Sequence, residues 1–218
     1  MQGGSEGRDA IEREAMRIAE AHGCHTTILY GSRARGDATA GSDVDFICIR
    51  DSGPALRDAR VVDGTYFDAF IYPESAVKTP DASLLRVLPG VVLRERDGFG
   101  TALLRKIQEV HDRGPEPLPE DERTARIVWA HKMVERIRGQ GGSDADYRRM
   151  SLLLTSLEDH FALRGRWFRG SKEAFAWLRA RDPSAHAAFE LAMRPGATER
   201  AIADLVAVVY GSTLPPGG

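Results

Sequence analysis

The chain is poor in cysteine: Cys24 and Cys48 are the only two among 218 residues. No C-x-x-C pair exists, which excludes the common zinc and redox spacings. A disulfide framework is excluded with them, and nothing in the sequence supports a bond between these two. Cys48 sits in the apolar run Val44–Ile49 and reads as a buried thiol. No stretch approaches 18 consecutive apolar residues, so no transmembrane helix is expected. The first residues, Met1–Glu6, are polar and lack an apolar signal core. The expectation is a soluble cytoplasmic protein. Neither sign of charge dominates: 30 Lys and Arg stand against 32 Asp and Glu, a net charge of −2. That balance gives no global pull toward a polynucleotide or an anionic membrane. No internal repeat recurs at a fixed period.

What remains is a soluble chain with 42% hydrophobic residues, enough for real cores. Residues 8–22 place Ile11, Ala15, Ile18 and Ala19 at helical spacing, and Gly23 is a C-terminal stop. Thr26–Tyr30 is β-branched and aromatic and reads as a strand. Gly31–Gly41 reads as a loop containing a short helix, and Asp43–Ile49 as a second strand. Asp63-Gly64 is a hairpin turn between Val61-Val62 and Thr65–Tyr72. Val91–Leu93 reads as a short strand and Gly98–Val110 as a helix. The stretch Gly114–Pro119, with three prolines, reads as a stiff linker. Helical patterns follow at 120–138, 146–163, from Ser171, at 183–193 and at 198–209, with Ser143 or Asp144 as a cap. The expected class is α+β: a small mixed sheet with flanking helices at 1–113, the linker at 114–119, and an all-α bundle at 120–212. Gly3-Gly4 and residues 213–218 read as disordered tails.

The informative stretch runs from Leu29 to Phe46. A strand ends at Tyr30. Gly31 allows close backbone approach, and Ser32 offers a hydroxyl and an amide. A helix starting there would aim its free amides at a phosphate. Arg33 and Arg35 add nearby positive charge. Asp43 and Asp45 lie two apart on a strand and so share a face. Two carboxylates on one face repel unless a cation lies between them, and Mg²⁺ bridges carboxylates to substrate phosphates. Asp68 is a third acid, set in an otherwise apolar strand, where an uncompensated charge is expensive. Alone, Gly31-Ser32 would be a tight turn and Asp43/Asp45 a solvated strand face. Together with Asp68 at this spacing, they point to a site for in-line phosphoryl displacement.

Gly31-Ser32, Asp43-Val44-Asp45 and Asp68 resemble the motif of the DNA polymerase β nucleotidyltransferase superfamily. The fuller form Gly-Ser-x-Ala-x-Gly, then Ser-Asp-x-Asp, is similar to minimal and aminoglycoside-type nucleotidyltransferases. The likeness covers Thr26 to Tyr72. It implies a nucleoside triphosphate substrate such as ATP, pyrophosphate release, and two Mg²⁺ ions held by Asp43, Asp45 and Asp68. Ser32, with the loop amides, would hold phosphates. The helical half has a weaker likeness to the C-terminal bundles of such enzymes.

Candidates in that half come from chemistry alone. Glu158 lies on an apolar helix beside Leu152, Leu153, Leu154 and Leu157, as a buried base or as part of a polar face. Lys172 at a helix start is a phosphate ligand or a solvated charge. Trp167, Phe168, Phe175 and Trp177 form an acceptor pocket or bundle core. Arg181 and His186 have the spacing of a ribonuclease motif, which arises easily by chance and is interrupted by Pro183. Three functions compete. One is transfer of AMP to a hydroxyl of a small-molecule acceptor, such as an antibiotic or natural-product intermediate, by a monomer or homodimer. The second is the same chemistry on a protein or RNA partner in a toxin–antitoxin-like pair. The third is a non-catalytic nucleotide-binding module.

Overall fold

A computed structural model of the chain describes residues 3–212, with side chains from Asp9 onward. The described residues form two compact units that meet between Arg113 and Gly114. Residues 213–218, expected as a tail, lie outside the described residues. Among the described residues no helix is long and apolar enough to cross a membrane.

The first unit is α+β. It runs α1 (Gly3–Ala21), β1 (Thr26–Tyr30), α2 (Gly31–Arg35), β2 (Val44–Arg50), β3 (Leu56–Val62), β4 (Thr65–Pro73), α3 (Glu74–Val77), a 3₁₀ helix (Ala82–Val87), β5 (Val91–Arg94) and α4 (Phe99–Arg113). Helix α1 begins earlier than the apolar spacing suggests, so Gly3 and Gly4 are helical backbone and not tail. Glycine is weak in a helix interior, but the first turn has few intrahelical bonds to lose. The strands form one mixed sheet in the order β3-β4-β2-β1-β5. Only β2 and β4 run parallel. The β3–β4 hairpin turns at Asp63 (φ 49°) and Gly64 (φ 75°), the paired left-handed conformation of a type I′ turn.

Alternation along the strands sorts the sheet into two faces. Leu29, Val44, Phe46, Cys48, Phe67, Ala69 and Ile71 face α1, packing with its Ala15, Ile18 and Ala19 and with Cys24. Both cysteines are buried free thiols. On the opposite face Ile28, Ile47 and Phe70 form one cross-strand row, and Thr26, Ile49 and Tyr72 another. Near the β1 end of these rows the 3₁₀ helix and α4 approach the sheet. The next row along the same face changes character to Tyr30, Asp45 and Asp68.

The second unit is all-α: α5 (Glu120–Ile137), α6 (Ser143–Ala162), α7 (Ser171–Arg181), α8 (Pro183–Ala192) and α9 (Glu199–Tyr210). Gly142 stands at the N-cap of α6, so Ser143 and Asp144 are its first residues and not its cap. Asp182 caps α8 and Thr198 caps α9, each accepting a backbone N–H. Leu152, Leu157, Phe161, Leu178, Phe189, Ile202 and Leu205 anchor the core. Three polar residues of α6, Ser156, Asp159 and His160, are buried in it. Asp159 accepts from Arg126 at 2.6 Å and from the Tyr210 hydroxyl at 2.7 Å.

His160, fully buried, stacks edge-on with Phe161 and Phe189, and neither ring nitrogen makes a hydrogen bond. Burial, helped by the nearby Arg164 charge, pushes the His160 pKa down to about 4 from 6.5. The folded ring therefore stays neutral where the unfolded ring takes a proton. Stability from this residue is intact above pH 6.5 and falls as pH drops toward 4, by roughly 3 kcal/mol in all. Trp129, Trp167 and Trp177 are the chain's three tryptophans and all lie in the second unit, so their fluorescence reports this unit alone. Urea unfolding followed this way at pH 6.5 and 4.5 should show a steeper loss for wild type than for His160→Phe. Equal losses would contradict the assignment.

Candidate active site

The site is built around the Tyr30–Asp45–Asp68 row. β1 ends at Tyr30, and the chain turns at once into α2 through Gly31, whose φ is 75°. A β-carbon on Gly31 would lie 2.4 Å from Asp45 Oδ2. The start of α2 is thus pressed against the Asp45 carboxylate, and only glycine leaves room. Asp43 stands just before β2, exposed, two residues from Asp45. Asp68 pairs with Asp45 directly across the parallel β2–β4 ladder and is buried.

The electrostatics follow from this convergence. Burial pushes the Asp45 carboxyl above the usual carboxylate range, and the charges of Asp68 and Asp43 push it the same way. Arg35 and Arg86 oppose them. Neighbouring carboxylates that hold one buried acid above its usual range match a divalent-cation site with oxygen ligands. Asp45 and Asp68, paired across the ladder, and Asp43 just before β2 are the carboxylates that could hold a divalent cation here.

Several neighbours are not evident from the motif. Arg57 on β3 forks onto Asp68, with Nε and Nη2 donating at 2.6 Å each. Arg86 of the 3₁₀ helix lies over the Phe70 ring at 4.8 Å and donates to the Tyr72 hydroxyl. Arg57 lies over the same ring at 5.2 Å. Burial pushes the Tyr30 phenol up to about 12, so it stays neutral beside the acids. Arg33 is engaged within the loop: its Nη2 donates to the Ser42 carbonyl at 2.8 Å, fixing the segment just before Asp43. Ser32 and Arg35 lie on α2, half-buried.

The remaining candidates belong to the second unit. Glu158 is exposed, which fits the polar face of α6 and rules out the alternative of a buried base there. The helical period turns Leu152, Ser156, Leu157, Asp159 and His160 inward, and the buried acid is Asp159. Lys172 is exposed near the start of α7. Phe168, Phe175 and Trp177 pack against the bundle core. His186 is buried against Phe175, while Arg181 is exposed at the end of α7 and Asp182 caps the next helix between them.

Comparison with known proteins adds three findings. No curated protein matches the sequence significantly. Among solved structures, the chain is similar to a nucleotidyltransferase-like protein from Exiguobacterium sibiricum 255-15. That likeness has 14% identity and a TM-score of 0.43, covering 92% of this chain and 73% of the other. The family model of the nucleotidyltransferase domain matches residues 25–112, a segment that contains Gly31, Ser32, Asp43, Asp45 and Asp68. Residues 25–112 are a nucleotidyltransferase domain, consistent with the DNA polymerase β-type superfamily, and the chain is a transferase.

Proposed function

We propose that the chain transfers a nucleoside monophosphate, AMP from ATP, to a hydroxyl of a small-molecule acceptor and releases pyrophosphate. The observation that carries the reading is the pairing of Asp45 with Asp68 across the β2–β4 ladder, beside Gly31 and with Asp43 two residues before Asp45. Asp43 and Asp45 would hold Mg²⁺, with Asp68 completing the acidic set. When bound, the metal supplies charge neutralisation along the triphosphate and polarisation at the α-phosphorus. Ser32 and the first amides of α2 bind the β- and γ-phosphates. The acceptor oxygen bonds to the α-phosphorus as the bond to the bridging oxygen of pyrophosphate breaks. Asp68, the most buried of the three acids, takes the hydroxyl proton. Arg57 keeps that carboxylate oriented through its two-pronged contact. The near-neutral charge favours a small acceptor over a polynucleotide.

The test is a pyrophosphate-release screen with the full chain, Mg²⁺, four nucleoside triphosphates and a panel of hydroxyl acceptors. Release that requires ATP, metal and one acceptor class is the expected result. Nucleotide binding with no release across the panel would favour a binding module instead. A nucleotide adduct on a co-purifying protein or RNA would move the acceptor to that class.

A further inference from the structure

A second group of donors lies at the other end of the β2–β4 pair. His25 immediately precedes β1, Asp51 follows β2, and Glu74 follows β4. Asp45 and Asp51 are six residues apart along β2, which separates the two groups by roughly 20 Å. One ligand atom from each of His25, Asp51 and Glu74 lies within 4.8 Å of the others. His25 is 8% exposed, and its ring is held edge-on by Phe99 at 5.2 Å. Nδ1 lies 2.9 Å from Thr26 Oγ1. Nε2 is buried without a hydrogen bond of good geometry, although Glu74 Oε1 is only 3.1 Å away. In the tautomer with Nδ1 donating to Thr26, the Nε2 lone pair faces a carboxylate oxygen, and a cation between them would satisfy both. Arg96 already bridges the two acids, its Nη2 donating to both Asp51 and Glu74.

We propose that His25 Nε2, Asp51 and Glu74 form a site for one divalent transition-metal ion of the zinc class, distinct from the Asp43–Asp45 site, with Arg96 as its competing cation. One imidazole nitrogen and two carboxylates suit Zn²⁺, whereas Mg²⁺ prefers oxygen ligands throughout. Thr26 supplies the outer contact that fixes the imidazole tautomer. Asp51 and Glu74 also line a cavity of about 480 Å³, with Lys78, Phe99 and Lys106 on its walls, which gives an ion a path in. Arg96 is 45% exposed and can leave the acids without opening the core. The ion would then tie the ends of β1, β2 and β4 together.

The experiment is calorimetric titration of ZnCl₂ into the chelator-treated full chain carrying Asp45→Asn, which weakens the other acidic site. One Zn²⁺ per chain is expected, together with a rise in Tm. On that background, Asp51→Asn and His25→Gln should each lower the affinity at least tenfold, and Arg96→Gln should raise it. Asp51 is exposed, so its variant remains informative if His25→Gln fails to fold. No Zn²⁺ binding by the parent, or binding unmoved by Asp51→Asn, would overturn the proposal. Because no readout depends on transferase activity, failure here is separate from failure of the nucleotidyl-transfer reading.

Discussion

Asp45→Asn is expected to lower nucleotidyl transfer by about 10³-fold or more while leaving the chain at least as stable as wild type. The activity side follows from charge. Losing one of two carboxylates that hold the cation removes several kcal/mol of transition-state stabilisation, and each 1.36 kcal/mol is a factor of ten. The stability side runs the other way. Burial and the neighbouring acids Asp68 and Asp43 hold the Asp45 carboxyl above its usual range, so its charged form is disfavoured in the fold. A carboxyl with a raised folded pKa subtracts stability at neutral pH, and that loss fades as pH falls through the raised value. The neutral amide removes the repulsion at once. The Tm of the variant should equal or exceed that of wild type at pH 7, with the gap closing in acid. A variant that loses activity and also melts earlier at pH 7 would make Asp45 a structural residue.

The legibility of this site in the sequence is uneven, for physical reasons. Asp45 and Asp68 are readable because each interrupts an apolar strand, while Gly31 and Asp43 are readable only from their spacing to these acids, since Asp43 lies just before β2 and not on it. Arg57 carries a signal of a subtler kind. The Asp63-Gly64 turn fixes the hairpin register, pairing Val62 with Thr65 and so Ala59 with Asp68. That register puts Arg57 one diagonal step from Asp68, within reach of a long side chain. Arg86 carries no such signal. It comes from a 3₁₀ helix with no periodic pattern, and tertiary packing alone brings it over Phe70. In the second unit, apolar leucines around Glu158 suggest burial, but the helical period decides the matter residue by residue. Asp159 goes inward because Arg126 and Tyr210 compensate it, and Glu158 goes outward.

Gly31→Ala should lower transfer by about 10²-fold, through geometry and not chemistry, since no reacting group is removed. The new methyl would lie 2.4 Å from Asp45 Oδ2, so either the carboxylate rotates away or the start of α2 shifts. A displacement near 1 Å at a reacting centre is enough for a loss of about that size. Backbone strain contributes separately, because alanine at φ 75° costs about 1–2 kcal/mol. Gly64 provides a matched control. It has the same φ of 75° at the β3–β4 turn, and a β-carbon there would meet nothing within 4 Å. Gly64→Ala should therefore lose similar stability and keep most of the activity. Comparing urea midpoints and pyrophosphate-release rates for the two variants separates strain from collision. If both lose stability equally and only Gly31→Ala loses activity, the tight contact between α2 and Asp45 is what the glycine serves. If the two lose activity alike, the positive φ alone explains Gly31, and the pressed approach to Asp45 has no role in transfer.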